Sequence, residues 1–131
     1  MRDSWEWSSE RPWQKGDPVL HIDLKNWADI LVIAPCSANT LAKMANGLSD
    51  NLLTCVVRAW PVHKPLFVAP AMNTDMWDKP VTKRHLETLT DDYSMFRCVL
   101  PQSKVLACGD LGVGAMASID MIIAAIKMEF Q

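Results

Sequence analysis

Two short apolar runs, each closed by Ala-Pro, place the strongest constraint on the fold of this 131-residue chain. Residues 28–35 and 65–70 are too short for helices, and each is followed by polar residues and then by helical sequence. A run that is apolar on both faces is typical of a buried parallel strand. Proline ends such a strand because it has no N–H for the ladder. Two successive strand ends of this kind predict βα units in an open parallel sheet, with 28–35 as a central strand.

The rest of the sequence fits the same alternation of strands and helices. Helices are predicted over 37–45, 51–60 and 80–89, and a third strand over 96–100. We expect Ser37 to cap the first helix and Gly47 to stop it. Asp50 is the expected cap of the second helix.

The C-terminal part is predicted to be a loop followed by a helix. Glycines punctuate 108–116, and Ser118 is the expected cap of the last helix. Five apolar residues lie at helical spacing in that helix and are expected to dock on the sheet. They are Ile119, Ile122, Ile123, Ile126 and Phe130.

Composition and charge exclude several classes of function. The net charge is −2, so there is no basic footprint for nucleic acid. No apolar run reaches membrane-spanning length, and no apolar signal core follows Met1. The cysteines lack metal-ligand spacing, so we predict no metal site and reduced thiols in a cytoplasmic protein. Residues 1–131 are treated as one domain, with an irregular lead-in over 1–18.

Polar residues follow both Ala-Pro strand ends, where ligands bind in open α/β sheets. The sequence Pro-Cys-Ser-Ala-Asn-Thr at 35–40 puts donors at a helix N-terminus, a position that favours anions. Ordinary capping explains Ser37 but not the whole polar run. The sequence Pro-Ala-Met-Asn-Thr-Asp-Met-Trp at 70–77 groups an amide, two thioethers and an indole. The alternative is a turn closed by Asn73 with Met and Trp over the core, and spacing alone favours that alternative.

Two other segments carry side chains suited to proton transfer. His21 lies in Val-Leu-His-Ile-Asp-Leu, and an imidazole titrates near neutral pH. A lone histidine is more often a surface or core residue, which is our interpretation of His63 and His85. Cys108 precedes a run whose glycines permit close approach to a ligand. A buried inert thiol is the common alternative and is our interpretation of the other three cysteines.

Taken together, these segments resemble the flavin-dependent cysteine decarboxylases. The resemblance rests on four motifs in the family's order: His-Ile-Asp-Leu at 21–24, Pro-x-Ser-Ala-Asn-Thr at 35–40, Pro-Ala-Met-Asn-x-x-Met-Trp at 70–77 and Cys-Gly-Asp-x-Gly-x-Gly-Ala-Met at 108–116. It implies a Rossmann-like or flavodoxin-like open parallel sheet flanked by helices, with FMN as cofactor. Family members begin with a strand and a Gly-rich phosphate-binding loop. Neither is found in this sequence, so we expect an N-terminally truncated form of the fold.

The resemblance also implies residue roles. The residues expected to contact FMN are those of the polar run after the first strand: Ser37, Ala38, Asn39 and Thr40. Those expected to bind the substrate are in the loop after the second: Ala71, Met72 and Asn73, with the amide of Asn73 on the substrate carboxylate. His21 would be the catalytic base, and Cys108 the proton donor of the closing reduction.

The implied reaction is FMN-dependent decarboxylation of 4′-phospho-N-pantothenoylcysteine to 4′-phosphopantetheine in coenzyme A biosynthesis. The cysteine moiety is oxidised to a thioaldehyde, loses carbon dioxide to give an enethiol, and is reduced to the thiol. Family members form homotrimers with interfacial active sites, so His21 is expected to serve Asn73 and Cys108 of a neighbour.

Two alternatives share parts of this pattern. Halotolerance-type proteins act as inhibitory subunits of a protein phosphatase, and flavin-dependent peptidyl-cysteine decarboxylases act on the C-terminal cysteine of a peptide. Some of the phosphatase inhibitors lack the cysteine and carry long acidic tails. The presence of Cys108 and Asn73, with no acidic tail after Phe130, favours the enzyme.

Overall fold

The computed structural model of the chain describes residues 19–105 and 111–131. Within these ranges the elements follow in the order α1 (Leu20–Trp27), β1 (Leu31–Cys36), α2 (Ala38–Ala45), α3 (Leu52–Ala59), β2 (Leu66–Pro70), α4 (Thr74–Asp78), α5 (Pro80–Asp92), β3 (Phe96–Cys98), β4 (Gln102–Val105), β5 (Leu111–Ala115) and α6 (Ile119–Glu129). No helix in the described part of the chain is both long and apolar enough to cross a membrane.

A three-stranded parallel sheet forms the centre of the fold. Its order is β1-β2-β3, with Val32 opposite Phe67 and Phe67 opposite Arg97. Strands separated by helices and paired in parallel confirm the predicted open α/β sheet. The central place predicted for 28–35 belongs instead to β2, all of whose residues are buried. In the described sheet β1 lies at an edge, and Val32 and Ala34 are exposed on either side of the buried Ile33.

Helices cover the sheet on both faces. One core cluster packs α2, α3 and α5 against the sheet through residues such as Leu41, Val57 and Leu89. The second cluster joins Phe67 of β2 to Ile122 of α6. Apolar strands covered on two sides explain why β2 reads as an uninterrupted hydrophobic run.

The N-terminal caps follow the sequence in all but one case. The hydroxyl of Ser37 accepts a hydrogen bond from the N–H of Thr40 (3.1 Å), and Gly47 ends the helix with a positive φ of 72°. The predicted cap Asp50 is wrong. Asn51 caps α3 because its side chain and that of Thr54 form a reciprocal capping box. Asp50 instead pairs with Lys43 of α2 at 2.9 Å.

The C-terminal helix is capped by Ser118 as predicted, with Oγ 3.2 Å from the N–H of Met121. The predicted docking face is wrong in part. Only Ile122 is buried, with Ile126 partly buried beside it, whereas Ile119 and Phe130 are each 60% exposed. Successive helical residues are turned by about 100°. The face of α6 that contacts the sheet is therefore centred on Ile122 and Ile126, and it is narrower than the five apolar residues predicted.

The segment predicted as a loop over 108–116 contains a strand. β5 pairs antiparallel with β4, and Ser103 lies opposite Val113. Glycine is depleted in strands, so propensity disfavours a strand here, and tertiary pairing overrides it. The predicted ends of two other elements differ from the structure by a few residues. The helix α5 continues to Asp92 instead of ending at 89, and β3 ends at Cys98 instead of at 100.

Candidate functional site

The two polar loops predicted to carry ligand contacts lie side by side. β1 and β2 are parallel, and both end at the same edge of the sheet. The N–H of Ala71, the first residue after β2, donates to the carbonyl of Cys36 at the end of β1 (3.0 Å). The sheet therefore brings the segments that begin at Ser37 and at Ala71 together, as the parallel arrangement predicts.

The first loop forms the N-terminus of α2. The hydroxyl of Ser37 also donates to Oγ1 of Thr40 (3.2 Å), so both hydroxyls take part in the cap. Ser37 and Asn39 are exposed, and Ala38 and Thr40 are half-buried. Polar donors at the positive end of an eight-residue helix suit a polar or anionic ligand group.

The second loop presents the amide of Asn73. Its Oδ1 accepts a hydrogen bond from the N–H of Met76 (2.9 Å), which makes Asn73 the N-cap of the short helix α4. Asn73 is exposed, whereas Ala71 and Met72 are half-buried. Because the cap occupies the acceptor end of the amide, the N–H₂ end is the part that can serve a ligand.

The ribbon of β4 and β5 is attached to this second loop on both sides of Asn73. On one side, the N–H of Met72 donates to the carbonyl of Gly114 (2.9 Å). On the other, the hydroxyl of Thr74 donates to the carbonyl of Val113 (3.0 Å) and accepts from its N–H (3.1 Å). One hydroxyl thus satisfies both backbone groups of a strand residue.

Gly114 is the residue that permits this approach. Its φ is 117°, and a Cβ added there would lie 2.2 Å from the carbonyl oxygen of Met72. The sequence predicted that glycines in this segment allow a ligand to come close. In the structure, Gly114 instead allows two backbone segments of the chain itself to come close.

The two candidate residues for proton transfer are placed differently. Cys108 falls between β4 and β5, outside the described residues. His21 lies in the first turn of α1 and is half-buried. The helix α1 packs mainly on α3, so the contacts described for it do not join His21 to the Asn73 loop.

The other cysteines behave as the inert thiols predicted. Cys36 and Cys55 are buried, and no described cysteine is in a disulfide. Burial, reinforced by the nearby Cys98, raises the pKa of the Cys36 thiol to about 12. Burial likewise raises the pKa of Cys98 to about 11. Both are protonated at neutral pH and are therefore poor nucleophiles.

Three side chains that join these segments to the rest of the chain were not found from the sequence. Thr74 joins the loop that carries Asn73 to β5, and Thr82 of α5 donates to the carbonyl of Met76 (2.6 Å). Lys64 donates to carbonyls at the end of α1. The signal available for Thr74 was a hydroxyl directly after Asn73. For Thr82 and Lys64, no sequence pattern marked the carbonyls to which they donate.

Comparison with known proteins identifies the family. Residues 1–131 match the Flavoprotein family over the whole chain. The chain belongs to this family. Among curated Flavoprotein relatives, a probable phosphopantothenoylcysteine decarboxylase of Arabidopsis thaliana is 58% identical over 127 residues, which are 96% of this chain and 61% of that protein. The chain thus spans about 60% of the length of the curated relatives it matches.

Solved structures of this family have the same fold. A PPC decarboxylase mutant complexed with pantothenoylaminoethenethiol is 56% identical, with a TM-score of 0.84 over 99% of this chain and 69% of that chain. The FMN binding protein AtHal3 is 57% identical, with a TM-score of 0.80 over 100% of this chain and 70% of that one. The resemblance inferred from the four motifs and the predicted Rossmann-like fold are both confirmed.

Proposed function

We propose that this chain carries the decarboxylating part of an FMN-dependent enzyme that converts 4′-phospho-N-pantothenoylcysteine to 4′-phosphopantetheine. The names of relatives at 50% identity and above support this substrate, and the name of a structural neighbour supports FMN. The match to the first of these relatives spans 127 of the 131 residues, so it includes the two loops that lie together at the carboxyl edge of the sheet.

The observation that carries the proposal is the orientation of the Asn73 amide. Its oxygen is committed to the N–H of Met76, so two N–H donors remain to hold a carboxylate. A neutral amide binds the carboxylate without neutralising it as a buried cation would, which suits a group that must leave as carbon dioxide. The half-buried Met72 beside it provides an apolar wall that lowers hydration of that group.

The residues of the first loop fit FMN. Ser37, Ala38, Asn39 and Thr40 would hold a polar part of the cofactor at the N-terminus of α2. When bound, FMN supplies the oxidation of the cysteine moiety and the later return of electrons. The chain itself contributes the donors of Asn73 and, in the roles we propose, His21 as the base and Cys108 as the proton donor.

The decisive test is the substitution Asn73→Asp. The carboxylate that it introduces keeps the helix cap but has no N–H to donate, and it repels the carboxylate of the substrate. We expect decarboxylation, measured as loss of carbon dioxide by mass spectrometry of the product, to fall about 10- to 150-fold or more, the equivalent of a hydrogen bond to a charged group.

The matched control is Asn51→Asp, the same chemical change at the cap of α3. It should leave the reaction unchanged. Equal activity of the two variants would refute the role of Asn73. Product from a cysteine-terminated peptide, but not from 4′-phospho-N-pantothenoylcysteine, would favour a peptidyl-cysteine decarboxylase. Inhibition of a protein phosphatase without decarboxylation would favour the regulatory alternative.

A homotrimer with shared sites and a cytoplasmic location are part of the same proposal. The location is supported by Cys36, Cys55 and Cys98, none of which is in a disulfide. Shared sites predict complementation. Mixed assemblies of His21→Ala and Cys108→Ser chains should regain activity that neither variant has alone, and no recovery would refute sharing.

A further inference from the structure

The side chain of Lys64 binds the end of the helix that carries His21. Its ammonium group donates to the carbonyls of Lys25 (2.9 Å) and Ala28 (2.8 Å). These carbonyls belong to the last turn and the C-cap of α1, where backbone acceptors have no partner within the helix. A positive charge at this end of a helix is also favoured by the helix dipole.

Lys64 is itself held by the core. The indole N–H of Trp60, a residue only 3% exposed, donates to the carbonyl of Lys64 (3.1 Å). The ammonium lies 5.4 Å from the centre of the Trp60 ring, within the range of a cation–π contact. The next residue, Pro65, accepts a hydrogen bond from the N–H of Leu31 at the start of β1. Lys64 therefore links α1 to the rigid sheet.

Apart from Lys64, the helix α1 is held in the described part of the chain by packing on α3 and at the edge of the core. It has eight residues, none of them buried, and no side chain caps its N-terminus. A helix of this length is not stable by itself in water. Leu24 and Ala28 pack at the edge of the core, and because apolar packing is not directional, the two hydrogen bonds from Lys64 add a directed restraint.

We propose that Lys64 is a positioning residue for His21. By clamping the C-terminal end of α1, it sets the direction in which the first turn presents the imidazole. His21 precedes Lys25 by about one turn, so a small change in tilt or rotation at the clamp is carried directly to the imidazole. The catalytic part of this inference rests on the proposed function, in which His21 is the base.

The first test needs no activity. The imidazole resonances of His21 are followed by NMR in Lys64→Met, which keeps the apolar stem but removes the donors, and in Lys64→Arg, which keeps donors. We expect Lys64→Met to shift or broaden the His21 signals and to speed amide exchange in α1, with His85 of α5 unchanged. Lys64→Arg should restore most of both signals. Unchanged His21 signals in Lys64→Met would overturn the inference.

The second test separates positioning from stability. Lys64→Met should lower kcat about 10-fold or more with little change in KM, because the Asn73 loop is untouched. Lys43→Met is the matched control. Lys43 also donates two short hydrogen bonds, both to the carboxylate of Asp50, but it lies on α2 and does not contact α1 through them. It should keep full kcat. A fall in melting temperature without a fall in kcat for Lys64→Met would show a merely structural role and refute the inference.

A double-mutant comparison shows whether Lys64 acts through His21. If it does, Lys64→Met should cause no further loss in a His21→Ala background. Additive losses would contradict action through His21. If His21→Ala alone keeps full activity, the proposed role of His21 as the base is refuted. The NMR experiment still tests the effect of Lys64 on the position of His21, because it does not depend on activity.

Discussion

Replacing Gly114 with alanine tests the contact between β5 and the loop that carries Asn73. A Cβ at this position would lie 2.2 Å from the Met72 carbonyl oxygen, and such contacts are essentially never closer than 3.0 Å. The strand must therefore retreat by about 0.8 Å, which would lengthen the bond from the Met72 N–H to the Gly114 carbonyl from 2.9 Å to about 3.7 Å. At that length the hydrogen bond is lost.

The cost has two parts. A non-glycine residue at a φ of 117° is strained by about 1–3 kcal/mol. Loss of the hydrogen bond adds about 0.5–1.5 kcal/mol. We therefore expect Gly114→Ala to weaken docking of the ribbon by about 1.5–4.5 kcal/mol, and amide exchange at Met72 and Val113 to accelerate by about 10-fold or more.

Gly47→Ala is the matched control for backbone strain. Gly47 also has a positive φ, 72°, but the nearest atom to an added Cβ is Nε of Arg58 at 3.6 Å. Only the left-handed conformation is penalised there, by about 1–2 kcal/mol. Global stability is measured by denaturant unfolding, and exchange by NMR. Exchange at Met72 that is no faster in Gly114→Ala than in Gly47→Ala would refute the argument from the overlap.

Three further outcomes follow from the structure. Because the pKa of Cys36 is raised to about 12, the unfolded state loses this proton at a lower pH than the folded state. The free energy of unfolding should therefore fall as pH rises from about 9 towards 12, by at most about 1.4 kcal/mol per pH unit for this group. Denaturant unfolding across that range measures the slope, which should be smaller in Cys36→Ser. Thr82→Val removes the donor to Met76 at a site 6% exposed, and should cost about 1–3 kcal/mol in thermal unfolding; no loss would contradict the bond. Ser118→Ala should cost about 1 kcal/mol through its cap, without changing flavin retention measured by visible absorption after gel filtration.

The parts of the fold that the sequence predicted are those set by local signals. An apolar run closed by proline marks β2, and Ser37 with Gly47 marks both ends of α2. Both polar loops were predicted at strand ends, and the bond between Ala71 and Cys36 shows that parallel pairing makes them neighbours. These features depend on residues close in sequence or on a general rule of topology.

The parts that were missed depend on which side chain or strand each residue pairs with, and local propensity does not determine this. β5 contains two glycines and becomes a strand only by pairing with β4. Asn51 is the cap of α3 in place of Asp50 because Thr54 completes the reciprocal bonds, whereas Lys43 draws Asp50 away. The assigned roles of His21 and of the residues at 37–40 and 71–73 stay predictions, and Cys108 lies outside the described residues.

The hydroxyl of Thr74 has a consequence for the outer edge of β5. A strand in a two-stranded ribbon offers its outer backbone groups to any other extended chain, which is a route to aggregation. At Val113 both groups are already taken by Thr74, and the next carbonyl, that of Gly114, is taken by Met72. The loop that carries Asn73 therefore also shields this part of the edge of β5 from pairing with foreign strands.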